Sequence, residues 1–333
     1  MFADTTPGHD IDYDLRESQM QLRCAEVDEA YYLLTEICAG RGTTLKAQNL
    51  RVPGAPGAST QGLGPIDFDT WRDRFHIGHV TMVGHSFGAA TTVEMLRCSK
   101  KFNYISQGII YDIWGMPVRE ATEDHHITAP LLGINSEAFM YWDANFHVAQ
   151  QVVEEAQDAG QPAWLMTVRG TVHISQSDFC IMYPRIATHV MKTTMDPVRA
   201  VDVNIDASLD FLARTLHFEG EDDDQQVFRR NLPEKKYLDL DLVNKLPTEH
   251  KPAAKWTAVR LKVEHEGRKR LRPHAQKRYW ERLRKMGQEE VWMHLAPGRS
   301  PPTSSDVGYD ECEDVRREDP AEEHKSKATD SRI

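Results

Sequence analysis

Residues 84–88 read Gly-His-Ser-Phe-Gly, between a short apolar run at 79–83 (HVTMV) and a stretch that opens on Gly88, Ala89 and Ala90. A G-x-S-x-G in this setting limits the fold more than any other feature of the chain, because it works only at a sharp turn from strand into helix. Such a turn lifts the serine hydroxyl above the sheet, and the two glycines permit the close backbone approaches there. It also sets the Phe87 backbone N–H at the helix N-terminus, where a free donor and the helix dipole stabilise a developing oxyanion. The surrounding pattern agrees. Apolar runs at 79–83, 107–111 (QGIIY), 130–134 (PLLGI) and 163–168 (AWLMTV) read as buried strands. Helical patterns cover 89–97, a segment ending near Gly160, 176–192 and 206–217. Four strands with helical crossovers predict the α/β class, with a parallel sheet covered on both faces.

The flanks differ from this body. From Leu15 to Cys38 the spacing is helical, Gly40 reads as its stop, and 41–66 is a Gly- and Pro-rich linker. An α/β-hydrolase sheet has several strands before the nucleophile strand, and a loop after one of them donates the second oxyanion N–H. One helix and a linker precede Ser86, so the expected domain, 1–218, is an α/β-hydrolase fold lacking its N-terminal strands. The strand carrying the serine is then left at a sheet edge. After Gly220 the chain turns polar. Apolar residues make up 40% of the whole and charged ones 27%, with a mean hydropathy of −0.57, too polar for one compact body. Residues 219–296 read as a charged, basic extension and 297–333 as an acidic tail of disordered composition. The net charge of −11 argues against a general nucleic-acid partner. Yet Lys and Arg outnumber Asp and Glu by 13 to 3 over 251–287. With Trp256, Tyr279 and Trp280, that block suits peripheral contact with anionic lipid, or a solvated tail.

A serine hydroxyl needs a base and an orienting acid, supplied from other strand ends. Of 15 histidines, His173 is the one on a loop just after the last strand; His125 and His126 lie in a polar connection and His147 inside a helix. The spacing leaves three candidates for the acid: Asp112 after the second strand, and Glu137 or Asp143 after the third.

Several segments in order carry a family resemblance: VTMVGHSFGAATTVEML, GIIYDIWGMP, APLLGINSEAFMYW, VRGTVHISQSDF and DASLDFLARTL. Over roughly residues 14–217 the chain resembles the plasma and intracellular type II platelet-activating factor acetylhydrolases, in particular their fungal homologues. The resemblance implies Ser86 as nucleophile, Asp112 as acid, His173 as base, Phe87 as one oxyanion donor and Trp114 in the acyl pocket. It implies a phospholipid substrate with a short or oxidised sn-2 acyl chain, hydrolysed without calcium. No cofactor and no metal is expected for this chemistry.

Two other functions stay open in the sequence: a catalytically impaired hydrolase scaffold that binds anionic lipid or a protein partner, and a triad esterase or lipase of other substrate. Five cysteines without a C-x-x-C pair read as reduced structural thiols rather than a zinc or redox site. The N-terminus has no signal-like apolar segment, and no run approaches the roughly 20 apolar residues of a membrane span, so the expected location is cytoplasmic. No residue pattern sets an oligomeric state.

Overall fold

The computed structural model describes residues 13–50, 54, 62–216, 236–263 and 290–299. The four expected strands are β1 (Val80–His85), β2 (Ile105–Tyr111), β3 (Leu131–Ser136) and β4 (Ala163–Val168), paired in parallel in the order 1-2-3-4. Helix α3 (Phe87–Arg97) crosses from β1 to β2, and α4 (Glu137–Met140) with α5 (Asp143–Asp158) crosses from β3 to β4. The apolar runs are continuous because both faces of the sheet are covered. Ile110, Leu131 and Leu165 point to the side of α3 and α5, and Ile109, Leu132 and Met166 to the other.

That other face is covered by α8 (Pro197–Thr215), which presents Ala200, Val203, Ala207 and Phe211 at helical spacing. The start of α8 is specified locally. Pro197 occupies the first turn, and the Asp196 side chain accepts from the N–H groups of Val198 and Arg199. The pattern at 176–192 does not form one helix. It breaks into a 3-10 turn (His173–Gln176), α6 (Phe179–Met182) and α7 (Pro184–His189). Pro184 is the cause, since it cannot donate and forces Tyr183 out of the helical region, to φ −124, ψ 56.

At the N-terminal side, α1 (Tyr13–Glu36) packs Met20 and Cys24 into the α3 side of the core. Gly40 turns the chain rather than stopping it. Its φ of +80 kinks a short π-helical stretch, and the chain resumes as α2 (Gly42–Gln48) inside the expected linker. Among the described residues no strand precedes β1, which pairs with β2 alone. Val83 on β1 is 51% exposed, whereas every residue of β3 and β4 is buried.

The packed body also runs past residue 218. A fifth strand, β5 (Val291–Leu295), lies antiparallel to β4 with all five residues buried. Tyr237, Leu238 and Leu261 are buried as well. The segment 219–296 therefore contributes a strand and core residues, which a composition average over so polar a stretch hides. Most of the basic block, from Glu264 on, lies outside the described residues, as does the acidic tail from Ser300 on. No helix among the described residues is long and apolar enough to cross a membrane.

One buried ion pair ties this layer together. Arg97 at the end of α3 meets Glu155 on α5 at 2.6 Å, with side chains 3% and 9% exposed, and Glu155 also accepts from the Ile127 N–H. Removing one partner leaves a buried charge unmatched, so Glu155→Gln is expected to lower stability by ~3 kcal/mol in a denaturant titration.

Candidate active site

Ser86 stands where β1 ends and α3 begins, with φ +60 and ψ −118, outside the region that side-chain-bearing residues favour. The strain is held by packing at 84 and by hydrogen bonds. The Ser86 N–H donates to Tyr111 O, and Ser86 O accepts from Trp114 N–H at 3.1 Å. A Cβ at Gly84 would fall 2.1 Å from Gly88 O, so the first glycine is required by the closeness of strand and helix. A Cβ at Gly88 would meet nothing, so the second glycine carries no such requirement. Phe87 opens α3, where its N–H has no intrahelical acceptor.

Asp112 ends β2 and is fully buried, with φ +40. Its carboxylate accepts from the Ser136 N–H at 2.5 Å, the Ser136 hydroxyl at 2.6 Å and His173 Nδ1 at 3.1 Å. A bond to a carboxylate puts the proton of the neutral imidazole on Nδ1, which leaves a lone pair on Nε2. The ring is clamped on both faces. Phe139 stacks on one side at 4.3 Å, and His85 on the other at 4.2 Å. His85 Nε2 donates to the His173 carbonyl at 3.2 Å. Burial first, and then the neighbouring His173, hold the His85 imidazole below its ordinary value, which favours its neutral form. Among the described residues the Ser86 hydroxyl makes no hydrogen bond to His173.

The other two candidate acids point elsewhere. Asp143 is exposed and pairs with Lys251. Glu137 is buried and holds the loop that carries His173. One oxygen accepts from the Gly170 N–H at 2.6 Å, and the other meets the Tyr141 hydroxyl at 2.7 Å and His250 Nδ1 at 2.8 Å. The Ala138 N–H donates to Thr171 O in the same contact. Trp114 lies beside the nucleophile turn, its ring 6.0 Å from that of Phe87 and beneath the Arg16 guanidinium of α1. A recess of about 740 Å³ lined by Arg97, Arg119, Thr122 and Glu155 lies at the far end of α3, away from this constellation.

The sequence reading did not anticipate Ser136, Phe139, His85, Tyr141 or His250 here. The one available signal was the Asn-Ser-Glu that ends β3 and opens α4: polar residues closing a wholly apolar strand must satisfy one another or a neighbour.

A family model described as "Platelet-activating factor acetylhydrolase, isoform II" matches residues 6–233. The chain belongs to this family. Its members have the α/β-hydrolase fold, which accounts for the mostly parallel sheet described above. A platelet-activating factor acetylhydrolase of Gallus gallus is 32% identical over 204 residues, covering 61% of this chain and 43% of the relative. One from Canis lupus familiaris is 28% identical, over 63% of this chain and 42% of its own length. A "putative phospholipase A2" of Schizosaccharomyces pombe is 32% identical over 173 residues, 43% of this chain and 38% of the relative. The chain thus spans less than half the length of the curated relatives it matches.

Two outcomes test the geometry. Gly84→Ala is expected to lower the melting temperature by the equivalent of ~2 kcal/mol or more through overpacking, whereas Gly88→Ala leaves it unchanged or slightly raised. The second concerns His250. Burial opposes its charge and so does Arg169, but the Glu137 hydrogen bond and the Glu137 and Glu249 charges outweigh them and raise its pKa. A raised folded-state value means the stabilisation is fully present below the unfolded value of about 6.5 and is lost as pH rises through the folded one. The stability gap between the natural chain and His250→Gln should therefore be widest near pH 6 and shrink toward pH 9. A gap independent of pH would count against the charged pair.

Proposed function

We propose that this chain is a serine ester hydrolase of phospholipids, with Ser86 as nucleophile, His173 as base and Asp112 as the acid that orients it. The observation that carries the reading is the bond from Asp112 Oδ2 to His173 Nδ1 at 3.1 Å, made at the ends of β2 and β4 next to a strained Ser86 at the end of β1. His173 Nε2 takes the Ser86 proton as Oγ bonds to the sn-2 carbonyl carbon. The Phe87 N–H stabilises the oxyanion. Collapse breaks the bond to the glycerol oxygen, which leaves as the lysophospholipid after receiving the proton from His173. Water, deprotonated by the same imidazole, then hydrolyses the acyl-serine and frees the carboxylic acid.

The substrate class rests on the names of the relatives, acetylhydrolases and a putative phospholipase A2, and on the aromatic surface of Phe87 and Trp114 beside the serine. A short sn-2 acyl group fits against such a wall, and Trp114 is its proposed lining residue. No metal or cofactor takes part in these steps.

A second reading, a hydrolase scaffold retained for binding with weak catalysis, draws on the missing hydrogen bond between Ser86 and His173 and on the exposed edge at β1. Catalytic bonds that are long in the free enzyme often tighten with substrate, which favours the first reading. A fluorophosphonate probe separates the two. The full chain should be labelled at Ser86, Ser86→Ala should not be, and Asp112→Asn should label about 10³- to 10⁴-fold more slowly. Folded but unlabelled protein would point to the binding scaffold. Faster release of acetate than of a long-chain acid from matched sn-2 phospholipids would support the proposed substrate class, and the reverse would assign a general lipase.

A further inference from the structure

At the end of α3 opposite Ser86, three side chains of different kinds converge. Glu94 and Cys98 lie one helical turn apart on α3, Cys98 being the residue that caps it, and His125 comes from the β2–β3 connection. Cys98 Sγ is 3.7 Å from Glu94 Oε1 and 3.5 Å from His125 Nε2, and His125 Nε2 is 3.3 Å from Glu94 Oε1.

We propose that Glu94, Cys98 and His125 form a zinc site, with solvent as the fourth ligand. The argument is metric. Around a tetrahedral zinc with ordinary bond lengths, thiolate to imidazole nitrogen spans about 3.6 Å, thiolate to carboxylate oxygen about 3.5 Å and nitrogen to oxygen about 3.3 Å. The observed 3.5, 3.7 and 3.3 Å match all three edges of that face.

The backbone makes the arrangement rigid. The Cys98 N–H donates to Glu94 O, which fixes the turn bearing two of the ligands. His125 exchanges two backbone hydrogen bonds with Thr122, a tight hairpin that presents the imidazole. Glu94 and His125 are 33% and 30% exposed, so the open vertex is reachable by water and by the ion. The site also lies at a helix C-terminus, whose partial negative charge favours a cation. Coordination replaces the Cys98 thiol proton, which passes to solvent, and joins α3 to the β2–β3 connection. Ester cleavage at Ser86 does not pass through this site.

The test uses full-length, tag-free protein. Elemental analysis after chelation, zinc reloading and desalting should give about one zinc per chain, and near none in Cys98→Ser and His125→Ala. Cobalt substitution supplies a signature that a structural defect would not mimic: a thiolate-to-cobalt charge-transfer band in the natural chain, lost in Cys98→Ser and kept in Cys24→Ser. Absence of that band in the folded natural chain would overturn the assignment even if the variants fail to fold. So would a band that survives in Cys98→Ser, or undiminished zinc in His125→Ala.

Discussion

A carboxylate with no contact with water must have its oxygens satisfied by donors from the protein, and Asp112 meets that need by drawing three strand ends together. It closes β2, takes both donors of Ser136 at the end of β3, and takes the imidazole carried by the loop after β4. The positions of two further elements follow. Ser136 leads directly into α4, and α4 delivers Glu137, whose carboxylate repeats the device one strand over by accepting from Gly170 in the loop that carries His173. Two buried acids thus hold one histidine, the first through its ring and the second through the Gly170 N–H of the loop that carries it. Phe139, two residues further along α4, closes one face of the same ring. Asp112 sets the tautomer and direction of the imidazole, and the stretch Ser136 to Phe139 supports it by holding that carboxylate, the loop that carries the ring and one ring face.

Much of this was legible in the sequence. Strands buried on both faces must be apolar throughout, so 107–111, 130–134 and 163–168 identified themselves, and the G-x-S-x-G fixed where the first of the four ended. Position after a strand singled out His173. Spacing alone did not choose among Asp112, Glu137 and Asp143, because all three follow strands; only the hydrogen bonds show that Asp112, just after β2, meets Ser136 at the end of β3 and His173 beyond β4. β5 was hidden for another reason. Four apolar residues and His294 beside QEE and APGRS give no helical or alternating period, and β5 is buried by what packs on it rather than by a pattern of its own. The helix expected at 176–192 failed at Pro184, where a local backbone rule outweighs apolar spacing.

The edge at β1 has consequences for the site. Among the described residues β1 is paired on one side only, and Val83 is exposed where its counterparts on β3 and β4 are covered. Yet β1 leads directly into Ser86, the proposed nucleophile, with its strained backbone. Its support comes from the other directions: β2 along the ladder, α3 packed on one face, and the bonds that join Ser86 to Tyr111 and Trp114. The strain of Ser86 is therefore borne mainly by β2 and α3, and the shape of the nucleophile turn depends on how firmly α3 is held.

That dependence links the two ends of α3. In the proposed ester cleavage negative charge would develop beside its N-terminal N–H groups, and the Glu94, Cys98 and His125 cluster lies at its C-terminal end. A helix dipole acts with opposite sign at its two ends, so an anion at one and a cation at the other are favoured by the same eleven-residue element. Arg97 already places one positive charge at that C-terminal end, locked to Glu155 on α5. Anchoring there restrains sliding of α3 along its own axis, the motion that would carry the Phe87 N–H away from the oxyanion. A tie remote from the serine can then act on catalysis without touching substrate, by keeping a donor within the few tenths of an ångström over which a hydrogen bond to a developing charge retains its strength.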